Sequence, residues 1–401
     1  LGSKNTIFFA YNFPPKLDVQ CFRTVNIVKS LAERGWNVTV ITTSRFGEHI
    51  NESQDIPACV NVVRVHDPRL PPQSVQLQNG YILPVLLGDA TLPWVVPAVM
   101  AARYILQRIG KAVVYSVNSP ASGFLAGTIV SRHNKLPHIL DYRDQWISEN
   151  PYVKLNQVHR FVARLVESWI LQHATDVLTI SQSTADLIER ARVTKKKVRV
   201  IRNGFDESLL EKAEPYNFNT KCLLHVGTIY GFRVNEFYVL LNALKIAIST
   251  GVIRPSEFKL IMAGFVSKEC SSMIADLGLG DVVKILPPVS HEVSLSMMKG
   301  ADYLLLFSGH EMLLPTKLFE YIATRKPIIN IGHVHGEAAN LIREFRAGIS
   351  CDLNVQSVLE VLKNLDGVRN EASPSDIPKL GRRVEADSMV KVFEEASEEI
   401  L

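Results

Sequence analysis

The chain has 401 residues, 47 % hydrophobic and 21 % charged, which fits two or three domains with sizeable cores and sets disorder aside. A net charge of only +4 argues against nucleic acid as the main partner. Five cysteines, at 21, 59, 222, 270 and 351, are odd in number and lack C-x-x-C spacing, so they offer neither a zinc site nor a disulfide framework and fit a reducing, cytoplasmic compartment.

"NTIFFAYNF" (5–13) reads as a buried strand, "QCFRTVNIVKSLAERG" (20–35) as a helix stopped by Gly35, and "NVTVITT" (37–43) as a second strand. Together they make a right-handed βαβ unit with a parallel sheet. Residues 67–110 follow, unusually apolar, with "YILPVLLG" and "TLPWVVPAVMAARYILQRIG". No apolar run is long enough to span a bilayer, and "LGSKNTIFF" at the start shows no signal-peptide pattern. Two readings of this segment stand side by side. In one, Trp94, Val95, Val96, Val99, Met100 and Ile105 form an exposed face beside Arg103, Arg108 and Lys111, giving peripheral contact with an anionic membrane. In the other, these residues pack on the sheet.

Alternation then continues. "AVVYSV", "PHILDYR", "DVLTIS" and "VRVIRN" are strands, separated by the helices "GFLAGTIVSRH", "HRFVARLVESWILQHA" and "STADLIERAR". The basic run "KKKVR" (195–199) reads as a solvated turn, with contact to an anionic surface as the alternative. A polar stretch, 203–221, reads as a linker, after which the pattern restarts with "CLLHVGTI", "FKLIMAGF", "VVKILPPV", "DYLLLF" and "PIINIG" as strands between helices. The last helix is "RRVEADSMVKVFEEASEEIL". Two such runs predict an α/β protein of two doubly wound domains, whose strand ends face a ligand cleft.

Two stretches of the second half suggest chemistry. In "LLPTKLFEYIATRKPIIN" (313–330) a helix begins at Pro315 after a glycine-bearing loop, with Leu314 where a capping side chain is usual. Its unpaired amides favour a phosphate, Lys317 adds charge there, and Glu320 is placed to accept hydrogen bonds from a sugar diol. The plainer reading is an ordinary i,i+3 pair between Lys317 and Glu320. In "HVGTIYGFR", Gly227, Thr228 and Gly231 form a strand-end turn, and Arg233 can grip a diphosphate bidentately. There is no G-x-G-x-x-G, no P-loop and no cluster at metal-ligand spacing, so no metal is expected.

At this point the chain resembles the GT-B glycosyltransferases of family 4, retaining enzymes that use nucleotide-sugar donors. The resemblance runs through "YNFPPKLDVQCFRTVNIVKSLAERGWNVTVIT", "LDYRDQW", "TISQSTADLI", "VIRNGFD", "HVGTIYG" and "PTKLFEYIATRKPII", in the family's order; "LDYRDQW" is similar to an element of its bacterial surface-polysaccharide branch. It implies two Rossmann-like domains, 1–203 on the acceptor side and 204–385 binding the nucleotide sugar. A terminal helix, 386–401, is able to pack back on the first. Arg233 and Lys317 would hold the donor diphosphate and stabilise it as it leaves, and Glu320 would bind the ribose. Gly227, Thr228, His310, Glu311 and Leu314 complete the implied donor set. Arg23 and Asp144 lie on the implied acceptor side, Asp144 orienting the acceptor hydroxyl or taking its proton, although an aspartate there can equally turn the loop. Asp141, Arg143 and Trp146 would hold that loop.

The chain departs from the family pattern twice. Met312 stands where the first of two family glutamates falls, with Glu311 one residue off, and "KLDV" (16–19) replaces a pair of glycines. The implied co-substrate is a nucleotide-diphosphate sugar with no further cofactor, and the implied acceptor a glycan or polyprenol-linked hydroxyl. The alternatives are a GT-B nucleotide-sugar epimerase and a non-catalytic nucleotide-sugar-binding scaffold.

Overall fold

A computed structural model describes residues 4–15, 19–45, 56–68, 89–118, 120–143, 156–190, 198–231 and 233–400. Asp144, Trp146, Lys16 to Asp18 and the "YILPVLLG" stretch lie outside the described residues. The chain divides into two compact units, 1–202 with 385–401, and 203–384.

In the first unit the order is β1 (Asn5–Phe9), α1 (Val19–Glu33), β2 (Asn37–Thr43), β3 (Asn61–Val65), α2 (Val95–Ile109), β4 (Val113–Val117), α3 (Ser122–Asn134), β5 (His138–Tyr142), α4 (Gln157–Gln172), β6 (Asp176–Thr179), α5 (Gln182–Arg190) and β7 (Val198–Val200). The strands form one parallel sheet in the order β3-β2-β1-β4-β5-β6-β7. β1, β4 and β5 are buried almost throughout, as parallel strands covered on both faces must be.

The second unit runs α6 (Glu207–Lys212), β8 (Lys221–Val226), α7 (Arg233–Ser249), β9 (Phe258–Ala263), α8 (Lys268–Asp276), β10 (Val283–Leu286), α9 (His291–Gly300), β11 (Tyr303–Ser308), α10 (Lys317–Ala323), β12 (Ile328–Gly332), α11 (Glu337–Glu344), β13 (Gly348–Cys351) and α12 (Val355–Lys363). Its parallel sheet has the order β10-β9-β8-β11-β12-β13. The last helix, α13 (Arg382–Glu398), belongs to the first unit from Glu385 onward. There Phe393 stacks on Phe8 of β1 at 5.6 Å and meets Trp36 edge-on.

The two doubly wound α/β domains expected from alternation are therefore present. Five elements were not anticipated. β3 and β13 are short edge strands, α11 and α12 flank β13, and the supposed linker contains α6, capped by the Asp206 side chain on the Leu209 amide. Of the two readings of the segment around Trp94, packing on the sheet holds for Trp94, Val95, Val99 and Ile105, which are core residues packed with Ile7, Phe9 and Val114. Of that set, Val96 and Met100 are exposed, and Tyr104 joins them.

Candidate functional site

In the second sheet the chain leaves β8 toward β9 on one side and β11 toward β12 on the other, so the topological switch lies between β8 and β11. Crevices open at such points beyond the carboxyl ends of the strands. Here the two strands pair over a short length. β8 pairs with β11 only through Leu223 with Tyr303 and Leu224 with Leu304. Beyond that, side chains take over the hydrogen bonds. The His225 ring bonds the Leu305 carbonyl through Nδ1 at 3.0 Å, and the Val226 amide donates to Tyr321 Oη of α10 at 3.0 Å.

Two helices begin beyond this splay. Gly227 follows the strand at φ +153°, a backbone that strains any side chain, and a Cβ there would crowd His225 Nε2 at 3.1 Å. The turn leads through Gly231, at φ +61°, into α7. Arg233 opens that helix, and its guanidinium donates to the Thr228 carbonyl at 3.0 Å. On the other side, the turn before α10 begins at Pro315, whose carbonyl accepts from the Leu318 amide at 3.0 Å; no side chain caps the helix.

Lys317 and Glu320 do pair, at 3.0 Å, but the pair is not a solvated surface one, because Glu320 is only 5 % exposed. A third member is His291, at the start of α9, whose Nε2 lies 2.6 Å from the other Glu320 oxygen. Burial would raise the Glu320 carboxyl, but the hydrogen bond with His291 and the charge of Lys317 outweigh it and hold the group below its ordinary value. Glu320 is therefore an anion at neutral pH. A carboxylate has about four acceptor directions, so two remain for a diol.

His225 and Glu236 were not singled out in the sequence. His225 is 5 % exposed, and its Nε2 has no hydrogen-bond partner among the described residues. Burial pushes this ring down to about 4; its bond to Leu305 opposes that, and the nearby charges of Arg233 and Lys317 push it further. Both cations therefore stand close to one imidazole. Glu236, one turn into α7, is fully buried, with no partner for either oxygen among the described residues. Burial raises its carboxyl to about 8, against the pull of Arg233.

The remaining expected donor residues are spread more widely. Leu314 is a core side chain, so any contact from it with a donor falls to its backbone. Glu311 keeps an exposed side chain while its carbonyl accepts from the Glu337 amide at 2.6 Å, and His310 Nδ1 accepts from the Met312 amide at 3.3 Å. The loop that lacks the family glutamate is thus tied to the start of α11.

In the first unit, Arg23, expected on the acceptor side, sits in a buried network. It is 5 % exposed, forks onto Asp141 at 3.0 and 3.2 Å, and donates to Glu385 of α13 at 2.8 Å. Asp141 also accepts from Tyr115 at 2.6 Å and from Arg143 at 3.1 Å. This network fixes the end of β5, where Asp144 follows in sequence. Among the described residues, no group of three or more His, Cys, Asp or Glu side chains is arranged to hold a metal, and no helix is long and apolar enough to cross a membrane.

Two Rossmann-like domains, each a doubly wound parallel sheet, are those of a GT-B fold. Residues 22–204 match the model of the glycosyl transferase 4-like domain. Over 98 % of both chains, the structure is similar to a sucrose-phosphate synthase from Thermosynechococcus elongatus, at 14 % identity and a TM-score of 0.71. It is also similar to Anabaena HepE in complex with UDP and glucose, at 16 % identity and 0.69, covering 98 % of this chain and 99 % of that one. A UDP-GlcNAc 2-epimerase from Methanocaldococcus jannaschii shares the fold at 10 % identity and 0.56, again over 98 % and 99 %. No curated protein matches the sequence.

Proposed function

We propose that the protein is a retaining glycosyltransferase that moves a hexosyl group from a nucleotide-diphosphate sugar to an acceptor hydroxyl in cell-surface glycan synthesis. The observation that carries this reading is the splay of β8 from β11, with Arg233 and Lys317 on its two sides and the Glu320 carboxylate one helical turn past Lys317. Two cations suit the diphosphate, and a buried carboxylate suits the ribose hydroxyls. As the glycosidic bond breaks, negative charge grows on the departing phosphate, where Arg233 and Lys317 stabilise it electrostatically. On this reading Gly227 and Thr228 bring backbone close to the phosphates, His310 and Glu311 contact the donor sugar, and Asp144 orients the acceptor hydroxyl. No metal is required, because the two cations supply the positive charge. The glycosyl transferase 4-like match and the HepE complex with UDP and glucose support a nucleotide-sugar donor.

A panel of UDP-, GDP-, ADP- and CMP-sugars in thermal unfolding tests the donor class, since a ligand that binds the folded state raises Tm by mass action. One nucleotide series should stand out, with Tm unchanged by EDTA. If none raises Tm at millimolar concentration, the donor reading fails. The epimerase neighbour shows that this fold hosts other nucleotide-sugar chemistry. Conversion of the sugar without release of nucleoside diphosphate would favour that alternative, and binding without either product a scaffold.

The acceptor in this reading is a glycan or polyprenol-linked hydroxyl presented at the cytoplasmic side of a membrane. Support comes from two apolar ridges in the first unit, Val96, Met100 and Tyr104 on α2 and Val158, Phe161 and Leu165 on α4, exposed beside Arg103, Arg108 and Arg160. Co-sedimentation with anionic vesicles at low salt, reduced by Met100→Ser with Phe161→Ser, is the expected result. A protein that stays in the supernatant would have a soluble acceptor.

A further inference from the structure

His225 occupies the point where β8 and β11 part. A carbonyl oxygen can only accept, so the Leu305 contact places a proton on His225 Nδ1. The ring is neutral, which leaves Nε2 as a bare lone pair. That lone pair is buried, has no partner among the described residues, and lies against Gly227 in the strand-end turn. A buried acceptor without a donor is costly, and such groups in native structures call for an explanation. Its charged neighbours are Arg233 on α7 and Lys317 on α10. Glu236, the other titratable group in the first turn of α7, is mainly protonated at pH 7. Burial is the main cause of the ring's neutrality in the free protein, and Arg233 and Lys317 add to it, the latter paired with the Glu320 carboxylate.

Arrival of a diphosphate reverses that field. Two negative charges beside Arg233 and Lys317 offset the repulsion from those cations and give a buried imidazolium the counter-charge whose absence makes its burial costly. We propose that His225 is a proton-linked ligand of the donor diphosphate: its Nε2 takes a proton from solvent as the anion binds and then donates that proton in a hydrogen bond to a phosphate oxygen. No bond of the substrate changes in this step; one proton passes from water to Nε2. The imidazolium becomes a third positive charge at the leaving group, present only when the site is filled. This inference rests on the glycosyltransferase reading for its ligand class, and His225 is a positioning and charge-supplying residue within it.

Histidine-selective ¹⁵N labelling of the full-length protein reads both ring nitrogens directly, with inorganic pyrophosphate as the probe. In the free protein at pH 7, His225 should show the Nδ1–H tautomer with an unprotonated Nε2. Saturating pyrophosphate should move Nε2 to the protonated position. The His225→Asn variant keeps an N–H able to reach the Leu305 carbonyl and removes Nε2; it identifies the resonance and should bind pyrophosphate roughly tenfold more weakly, as expected for a lost charge-assisted hydrogen bond. The wild-type titration needs no variant to fold. If pyrophosphate binds, Lys317→Ala abolishes that binding and every histidine Nε2 signal stays put, the His225 proposal is overturned while the donor site stands. If pyrophosphate does not bind, or binds equally to Lys317→Ala, the donor-site reading falls and takes the proposal with it.

Discussion

Asp141 in the first unit and Glu236 in the second are both fully buried carboxyl groups, and their surroundings differ completely. Asp141 is met by Arg23, Arg143 and Tyr115, and the two arginines outweigh its burial and hold it at about 2. Glu236 has no hydrogen-bond partner among the described residues, and its burial raises it to about 8. The first arrangement is closed: charges on α1, β5 and α13 neutralise one another and fasten the terminal helix. The second is open, and it lies one turn from Arg233 and in the same unit as the unpartnered His225 Nε2. Paired buried charges point to architecture, and buried polar groups without partners just past a strand end to a ligand.

The sharpest way to break that contrast is Asp141→Ala, which leaves two buried arginines facing each other. Removing one partner of a buried pair costs about 3–5 kcal/mol, to be read from urea unfolding. A loss below about 1 kcal/mol would mean that the network contributes little to stability. The same group has an acid signature. Its folded value, near 2, lies below the ordinary 3.8. Its contribution is therefore present above about pH 4 and is lost as pH falls toward 2. Wild type should show an extra loss of stability in that window, and the variant should not.

Next in size is the open side of the comparison. Lys317→Ala and Arg233→Ala should remain folded, since both side chains are partly exposed, yet lose roughly 10²–10³ in transfer rate. Normal turnover by either variant removes its assignment to the leaving diphosphate. A smaller effect is expected from Glu320→Ala. Nucleoside diphosphate should bind roughly tenfold more weakly through lost ribose hydrogen bonds, and pyrophosphate nearly as in wild type. Equal weakening of both would mean that the carboxylate acts by holding Lys317 and His291 in place.

The sequence carried the fold because buried parallel strands are nearly continuous apolar runs, and both units repeat them. It did not carry β3 and β13, which are short edge strands with partly exposed residues, so their local pattern is weak. The positions of Arg233, Lys317 and Glu320 just past strand ends were legible because each follows an apolar strand within a short stretch of chain. The network around Arg23 was not legible, since its partners lie 118 and 362 residues away and a helix position cannot report them. His225 was missed for a related reason. A histidine inside an apolar strand looks like an ordinary core residue, and only the parting of β8 from β11 shows that one of its nitrogens has no partner.

The smallest effect separates the two carboxyls by pH alone. Glu236 has a folded value near 8, above the ordinary 4.5. Between those values the folded state holds a proton that the unfolded state has released, so the slope of stability against pH is negative. The contribution is complete below about pH 4.5, declines as pH rises toward 8 and is flat above it. From pH 7 to 8 the decline amounts to about 1 kcal/mol. Asp141, ionised in both states over this range, adds nothing to the slope. Urea unfolding of wild type and Glu236→Gln at pH 6, 7, 8 and 9 isolates the group, because every other titrating residue is common to both. Wild type should lose stability relative to the variant up to pH 8 and then run parallel to it. Parallel curves from pH 6 onward would mean that Glu236 is ionised and paired, and the contrast with Asp141 would collapse. A saturating nucleotide sugar sharpens the result: anionic phosphates at Arg233 remove the one charge that favours ionised Glu236, so the decline should move to higher pH.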